Sequence, residues 1–316
     1  SEVRKRLHGL RAMAHSIEDR AHVPLAPAVL VTGKGGVGKT LVAAGLAVAA
    51  AKRDGRAVYV EFGDGESGAR ALGARHPEVK HVVLDPARAV VDAAAGLFGS
   101  RRLARLALGN FAMRPLLEAA PAIRELALLE LARQVVSKHP GVRVVFDMPA
   151  TGHSVAWLRV VREVKRVTAK GPLHELCAKL ESELLTPSRS SVVVVTLPER
   201  LVLAETLSLC DEIESDIGLS VDRLVVNRVP TPLPDDAMWD VHHLASASGP
   251  EANAAKELAD YLQGRSSVHR EVFRALDSTV RQPNGRGDKG LTLLPLIPRE
   301  PKAETAADWL VEEQAA

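Results

Sequence analysis

The segment VLVTGKGGVGKT, Val29–Thr40, restricts the folds open to this chain more than any other feature. It satisfies G-x-x-x-x-G-K-S/T through Gly33, Gly38, Lys39 and Thr40, directly after a buried-strand pattern and directly before a helical one. Glycines let the backbone turn so that successive N–H groups point inward at phosphate oxygens, and the following helix adds its positive dipole end. The spacing therefore predicts that Gly33, Lys34, Gly35, Gly36, Val37 and Gly38 cradle phosphates. Lys39 reaches the β- and γ-phosphates, and the Thr40 hydroxyl is a ligand to Mg²⁺. The competing reading is a glycine-rich turn with no ligand.

A loop of this kind needs a parallel sheet behind it, and the rest of the chain supplies one. Apolar, β-branched runs alternate with helical patterns. Strands are expected at Ala28–Thr32, Ala57–Glu61, Val79–Leu84, Val142–Asp147, Ser191–Leu197, Arg223–Asn227 and Leu291–Pro295. Several are near-continuous valine and leucine, as in strands buried on both faces. Helices are expected at Thr40–Lys52, Pro86–Phe98, Ser154–Val164, Leu173–Leu184, Glu199–Ile217 and Glu251–Leu262. The predicted fold class is α/β, a doubly wound, mostly parallel sheet of the P-loop NTPase type with a helical insert. Residues 1–24 read as an N-terminal helical extension and 25–316 as the ATPase domain, with the insert at about 100–139. Thr231–Pro250 and Arg281–Gly290, rich in Pro, Gly, Ser and Asp, read as mobile loops, and ETAADWLVEEQAA as a short acidic helix.

Composition removes several function classes. The formal net charge is +2, from 41 basic and 39 acidic residues, and aromatics are 3%, so nucleic acid is not expected as a partner. The longest apolar stretch, Leu41–Ala51, falls far short of the roughly 20 residues of a membrane span, and the charged N-terminus is no secretory signal. Neither feature suggests a stable membrane anchor. Two cysteines, Cys177 and Cys210, are too far apart for a CxxC clip and suit a reducing cytoplasm.

Lys34–Thr40, K-G-G-x-G-K-T, resembles the deviant Walker A ATPases. The resemblance implies an ATP-dependent dimer in which Lys34 reaches across to the partner's nucleotide. VVFDMPATGHS, Val144–Ser154, ends a strand in Asp147, placed for the Walker B role beside Mg²⁺. The turn after it can sense the γ-phosphate. This segment resembles the D-T-A-P-T-G-H switch II of the arsenite-pump and tail-anchored-protein-targeting ATPases, with the proline one place earlier. VVVVTLPERLVLAET, Val192–Thr206, looks like the same family's P-E-x-x-x-x-x-E-T segment. By that resemblance Asn227 reads the adenine edge and Pro298 flanks the ring. Arsenite-binding cysteines and the eukaryotic CxxC zinc site are both absent, which disfavours arsenite transport and leaves a short bacterial-type relative.

Switch I departs from the family. Where relatives run into D-P-A, this chain has VYVEFGDGES, Val58–Ser67. The aspartate position falls on Gly63; a shift of one gives Asp64, the candidate for positioning the attacking water, with Glu61 another carboxylate within reach. Alternatively Asp64 and Glu66 are solvated turn residues. The leucine-rich stretch 100–136 is either ordinary core or, as in targeting relatives, a surface for a client helix. The function expected is Mg-ATP hydrolysis by a dimer, homomeric or paired with a paralogue, whose opening and closing a protein client or partner reads. The alternative is a nucleotide-gated binding or scaffold module with little hydrolysis. A partitioning or division-site ATPase is disfavoured by the near-neutral charge and the acidic C-terminus.

Overall fold

A computed structural model describes residues 25–98, 102, 121–149, 151–230, 235–246, 248–280, 290–297 and 301–312. The valine-rich runs form strands β1 (Ala28–Gly33), β2 (Ala57–Phe62), β3 (Val79–Leu84), β4 (Arg143–Asp147), β5 (Ser190–Thr196), β6 (Val221–Val229) and β7 (Gly290–Pro295). They make one seven-stranded sheet of order β3-β2-β4-β1-β5-β6-β7, every pair parallel. The described helices are α1 (Lys39–Asp54), α2 (Glu66–Leu72), α3 (Ala89–Phe98), α4 (Pro121–Lys138), α5 (Thr151–Val167), α6 (Pro172–Glu183), α7 (Arg200–Glu212), α8 (Asp235–Ala245), α9 (Pro250–Val280) and α10 (Ala303–Glu312). All seven expected strands form, with every boundary within two residues of the expected one.

Helices cover both faces, so two apolar layers flank the sheet. One joins Val29, Val31, Tyr59 and Val145 to α1 and to Ala303, Ala307 and Leu310 of α10. The other joins Leu30, Val60, Phe146 and Val194 to α4, α5, α6, α7 and the second half of α9. The acidic C-terminal helix is thus a core element. It lies so close to α1 that a Cβ on Gly45 would fall 2.8 Å from Ala306 Cβ. Gly45→Ala should therefore cost about 1–3 kcal/mol through overpacking, outweighing any gain in helix propensity, as read by urea denaturation.

Three expectations need correction. Thr231–Pro250 is not all loop: α8 forms within it, with Asp235 and Asp236 at its start, His242 and His243 in its last turn, and Trp239 stacked on His243 at 4.9 Å. The helix expected at Glu251–Leu262 runs on to Val280, because Val272, Phe273 and Leu276 bury a second apolar stripe past Gly264. A short helix, α2, follows Asp64 in the switch I segment and takes in Glu66, which the alternative reading makes a solvated turn residue. Residues 1–24, 281–289 and most of the expected insert, including Leu103, Leu106, Phe111 and Leu117, lie outside the described residues.

Candidate functional site

β1 is central, between β4 and β5, and its carboxyl end opens directly into the glycine-rich loop. The loop conformation requires glycine. Gly33, Gly36 and Gly38 have φ of 147°, 81° and 95°, and a Cβ on Gly33 would sit 2.2 Å from the Val195 carbonyl oxygen of the neighbouring strand. Gly35 and Gly36 are exposed, Val37 is buried beneath them. α1 then starts at Lys39 with Gly38 at its N-cap, no side-chain cap and no acidic residue in its first turn. Its leading N–H groups are left to an anion. Lys39 Nζ donates to the Lys34 carbonyl at 2.9 Å. Burial holds its pKa below that of an ordinary lysine, with Asp147 opposing the shift.

Asp147 ends β4, in register with Val31 on one side and Glu61 on the other. Its Oδ2 accepts from Thr40 Oγ1 at 2.7 Å and from Tyr59 Oη at 3.1 Å. Its Oδ1 is buried and has no hydrogen-bond partner among the described residues. Burial pushes the carboxyl above the usual carboxylate range. The Thr40 and Tyr59 hydrogen bonds and Lys39 oppose that shift, and Glu61 adds to it. An unpartnered carboxylate oxygen beside a threonine hydroxyl, both hard donors, fits a hydrated magnesium-type cation. Among the described residues no group of three His, Cys, Asp or Glu side chains gathers to hold a metal ion, so a cation here would be completed by water and phosphate.

The remaining expected residues are placed differently. Lys34 lies in the loop with its Nζ 2.8 Å from both carboxylate oxygens of Glu205, the second glutamate of the P-E-x-x-x-x-x-E-T segment. Asp64 is exposed, and its Oδ1 accepts the Glu66 N–H at 3.0 Å, which starts α2. Glu61 is buried, and its Oε2 accepts the Gly68 N–H at 2.9 Å with His81 Nε2 at 3.2 Å. Asn227 sits under the loop: its Nδ2 donates to the Val37 carbonyl at 2.8 Å and its Oδ1 accepts the Arg228 N–H. Pro298 lies outside the described residues. In switch II, Met148 N–H donates to the Val31 carbonyl and α5 starts at Thr151, so the expected turn is shorter than Met148–His153.

Sequence reasoning missed Tyr59 and the Glu61–His81 pair. The signal was present: Tyr59 and Glu61 are two apart on a strand and so share a face, a polar pair within an otherwise apolar run.

The CobQ/CobB/MinD/ParA nucleotide binding domain model matches residues 28–234. ATPase BagA of Mycobacterium tuberculosis is 29% identical over 227 residues, 63% of this chain and 64% of that protein. The chain therefore spans under two thirds of the length of that mycobacterial relative. An uncharacterized protein of Streptomyces coelicolor is 26% identical over 334 aligned residues, covering 91% of this chain and 80% of its own. ATPase get3 of Neurospora crassa is 25% identical over 252 residues, 65% of this chain and 74% of that protein. No described helix is long and apolar enough to cross a membrane. By the match over residues 28–234 the chain belongs to the CobQ/CobB/MinD/ParA nucleotide-binding domain family of P-loop proteins, and homologues such as BagA and get3 are consistent with the arsenite-pump branch that its motifs resemble.

Proposed function

We propose that this chain is an Mg²⁺-dependent ATPase that works as a dimer, its nucleotide state read by a protein partner. The observation that carries the reading is the joint arrangement of an uncapped α1 N-terminus, Lys39 and the Thr40–Asp147 pair at the carboxyl ends of β1 and β4. The loop amides and Lys39 would hold the phosphates, and Thr40 with Asp147 would hold Mg²⁺. When bound, that cation supplies charge neutralisation for phosphoryl transfer. Lys34 is loop-borne and 42% exposed, as a side chain must be to act on a second subunit's nucleotide. Asn227, beneath the loop, remains the adenine reader of the proposal, since its amide keeps one donor and one acceptor site beyond the bonds already described. Cys177 and Cys210 are both buried as thiols, which suits a cytoplasmic setting.

A second reading, a nucleotide-gated binding module with little turnover, has its own support. At the end of β2 both carboxylates are engaged, Asp64 on the Glu66 N–H and Glu61 on Gly68 and His81. Steady-state ATP turnover with Mg²⁺ at several protein concentrations separates the two, beside Lys39→Ala as the inactive control. A dimeric ATPase gives turnover per chain that rises with concentration. If Asp64 positions the water, Asp64→Ala should lower kcat by about 10²-fold while leaving nucleotide affinity intact. Nucleotide binding with turnover no higher than the Lys39→Ala control would establish the gated module.

A further inference from the structure

We infer that Tyr59 is a positioning residue for this site: its hydroxyl anchors Asp147 Oδ2 from the sheet side, so that Oδ1 is left to face a cation. The inference rests on the proposed Mg²⁺-nucleotide reading and adds a residue to it. Two donors converge on Asp147 Oδ2, Thr40 Oγ1 at 2.7 Å and Tyr59 Oη at 3.1 Å, while Oδ1 is buried with no hydrogen-bond partner among the described residues. The donors are not equivalent. Thr40 belongs to the nucleotide loop and is itself a proposed cation ligand. Tyr59 is part of β2 and fully buried, in the apolar layer between the sheet and α1. A carboxylate pinned at one oxygen by a donor outside the cation's shell has its remaining oxygen oriented in advance, as outer-shell partners do for metal ligands.

The ring itself is held from two sides. It packs on the His81 ring at a centroid distance of 5.3 Å. Gly68 of α2 closes over it so tightly that a Cβ there would lie 2.5 Å from Tyr59 Cε1 and 2.3 Å from Glu61 Oε2. The Gly68 N–H bond to Glu61 fixes α2 in that position. The switch I helix thus seats directly on the residue that orients Asp147, which joins the two halves of the site through side chains of one strand.

Tyr59→Phe keeps the ring and removes only the hydroxyl. The test titrates Mg²⁺ against the full chain with N-methylanthraniloyl-ATP at fixed concentration, in parallel with the same nucleotide in EDTA. The half-saturating Mg²⁺ should rise about tenfold in Tyr59→Phe while affinity in EDTA stays within about twofold of the unmodified chain. A merely structural role would weaken binding in EDTA and Mg²⁺ alike, and that result overturns the inference, as does an unchanged Mg²⁺ requirement. If the unmodified chain binds nucleotide with no Mg²⁺ dependence, the cation reading falls and this inference with it. A second measurement avoids altering Tyr59. The chain has two tyrosines, Tyr59 and Tyr261, so fluorotyrosine-labelled Tyr261→Phe carries one ¹⁹F signal. That signal should shift with nucleotide and Mg²⁺ and stay in place with nucleotide in EDTA; a signal indifferent to Mg²⁺ overturns the assignment.

Discussion

Lys34→Ala should lower kcat for ATP by about 10³-fold, the scale of a charge supplied to a transferring phosphoryl group from outside the nucleotide's own loop, with nucleotide affinity changed only a few-fold. The asymmetry follows from position. In the proposed site the loop amides and Lys39 would hold the phosphates, and the Lys39 Nζ points back into the loop at the Lys34 carbonyl, while the Lys34 side chain points away to Glu205. That pair is exposed on both sides and contributes about 0–1 kcal/mol, little obstacle to release toward a second subunit. A mixing experiment distinguishes action in trans from action in cis. On this reading Lys34→Ala and Asp147→Ala should each be inactive alone. If Lys34 acts across the interface, a mixed dimer has one complete site, formed by Asp147 of the first variant and Lys34 of the second. Activity then returns to about a quarter of the unmodified level, since half the dimers are mixed and each has one whole site. If Lys34 acts within its own chain, no combination is complete and mixing restores nothing.

The sheet and the loop were legible because both are written in local patterns. Valine runs without alternation define strands covered on both faces, and a strand–glycine loop–helix sequence leaves few alternatives for Val29–Thr40. What stayed hidden depends on neighbours far along the chain. Glu61 looked like a spare carboxylate near the nucleotide; in the fold it is buried under α2 and committed to Gly68 and His81. Asp64 was read as a water-positioning group or a solvated turn residue, and the structure shows it starting a helix that Asp-Gly-Glu could have signalled. Tyr59 could be placed on a face of β2 by periodicity, but its partner on β4 lies 88 residues away. The α8 helix was missed because proline and aspartate were weighed as loop formers, although at a helix start both are favourable. The acidic tail was recognised as a helix, yet its docking against Gly45 needs tertiary packing to be seen.

Leu129→Glu should unfold the protein rather than strip a client-binding surface from it. The leucine-rich sequence of α4 was open to both readings, and burial decides between them for its described residues. Leu126, Leu128 and Leu129 are 2%, 0% and 2% exposed, inside the layer shared with Phe146, Trp157 and Leu180. Two polar residues of α4 are enclosed as well. Glu130 and Arg133 pair with 4% and 9% of their side-chain surface exposed, and Arg133 reaches on to Glu183 of α6. Burial and both carboxylates fix that arrangement: the Arg133 guanidinium is held above its ordinary pKa mainly by its Glu130 hydrogen bonds. A glutamate at position 129 would be enclosed by the apolar side chains of that layer. An uncompensated buried charge costs roughly 3–5 kcal/mol, against a total of about 5–15 kcal/mol for a domain. Ser137→Glu, on an exposed position of the same helix, should change stability by no more than about 0.5 kcal/mol. Urea denaturation followed by circular dichroism compares the two. Because the Leu129 variant loses its fold, loss of client binding in it would say nothing about a groove. A Leu129→Glu chain that keeps the unmodified midpoint would show instead that α4 leaves the core in solution, and only then would these leucines be available to a client helix.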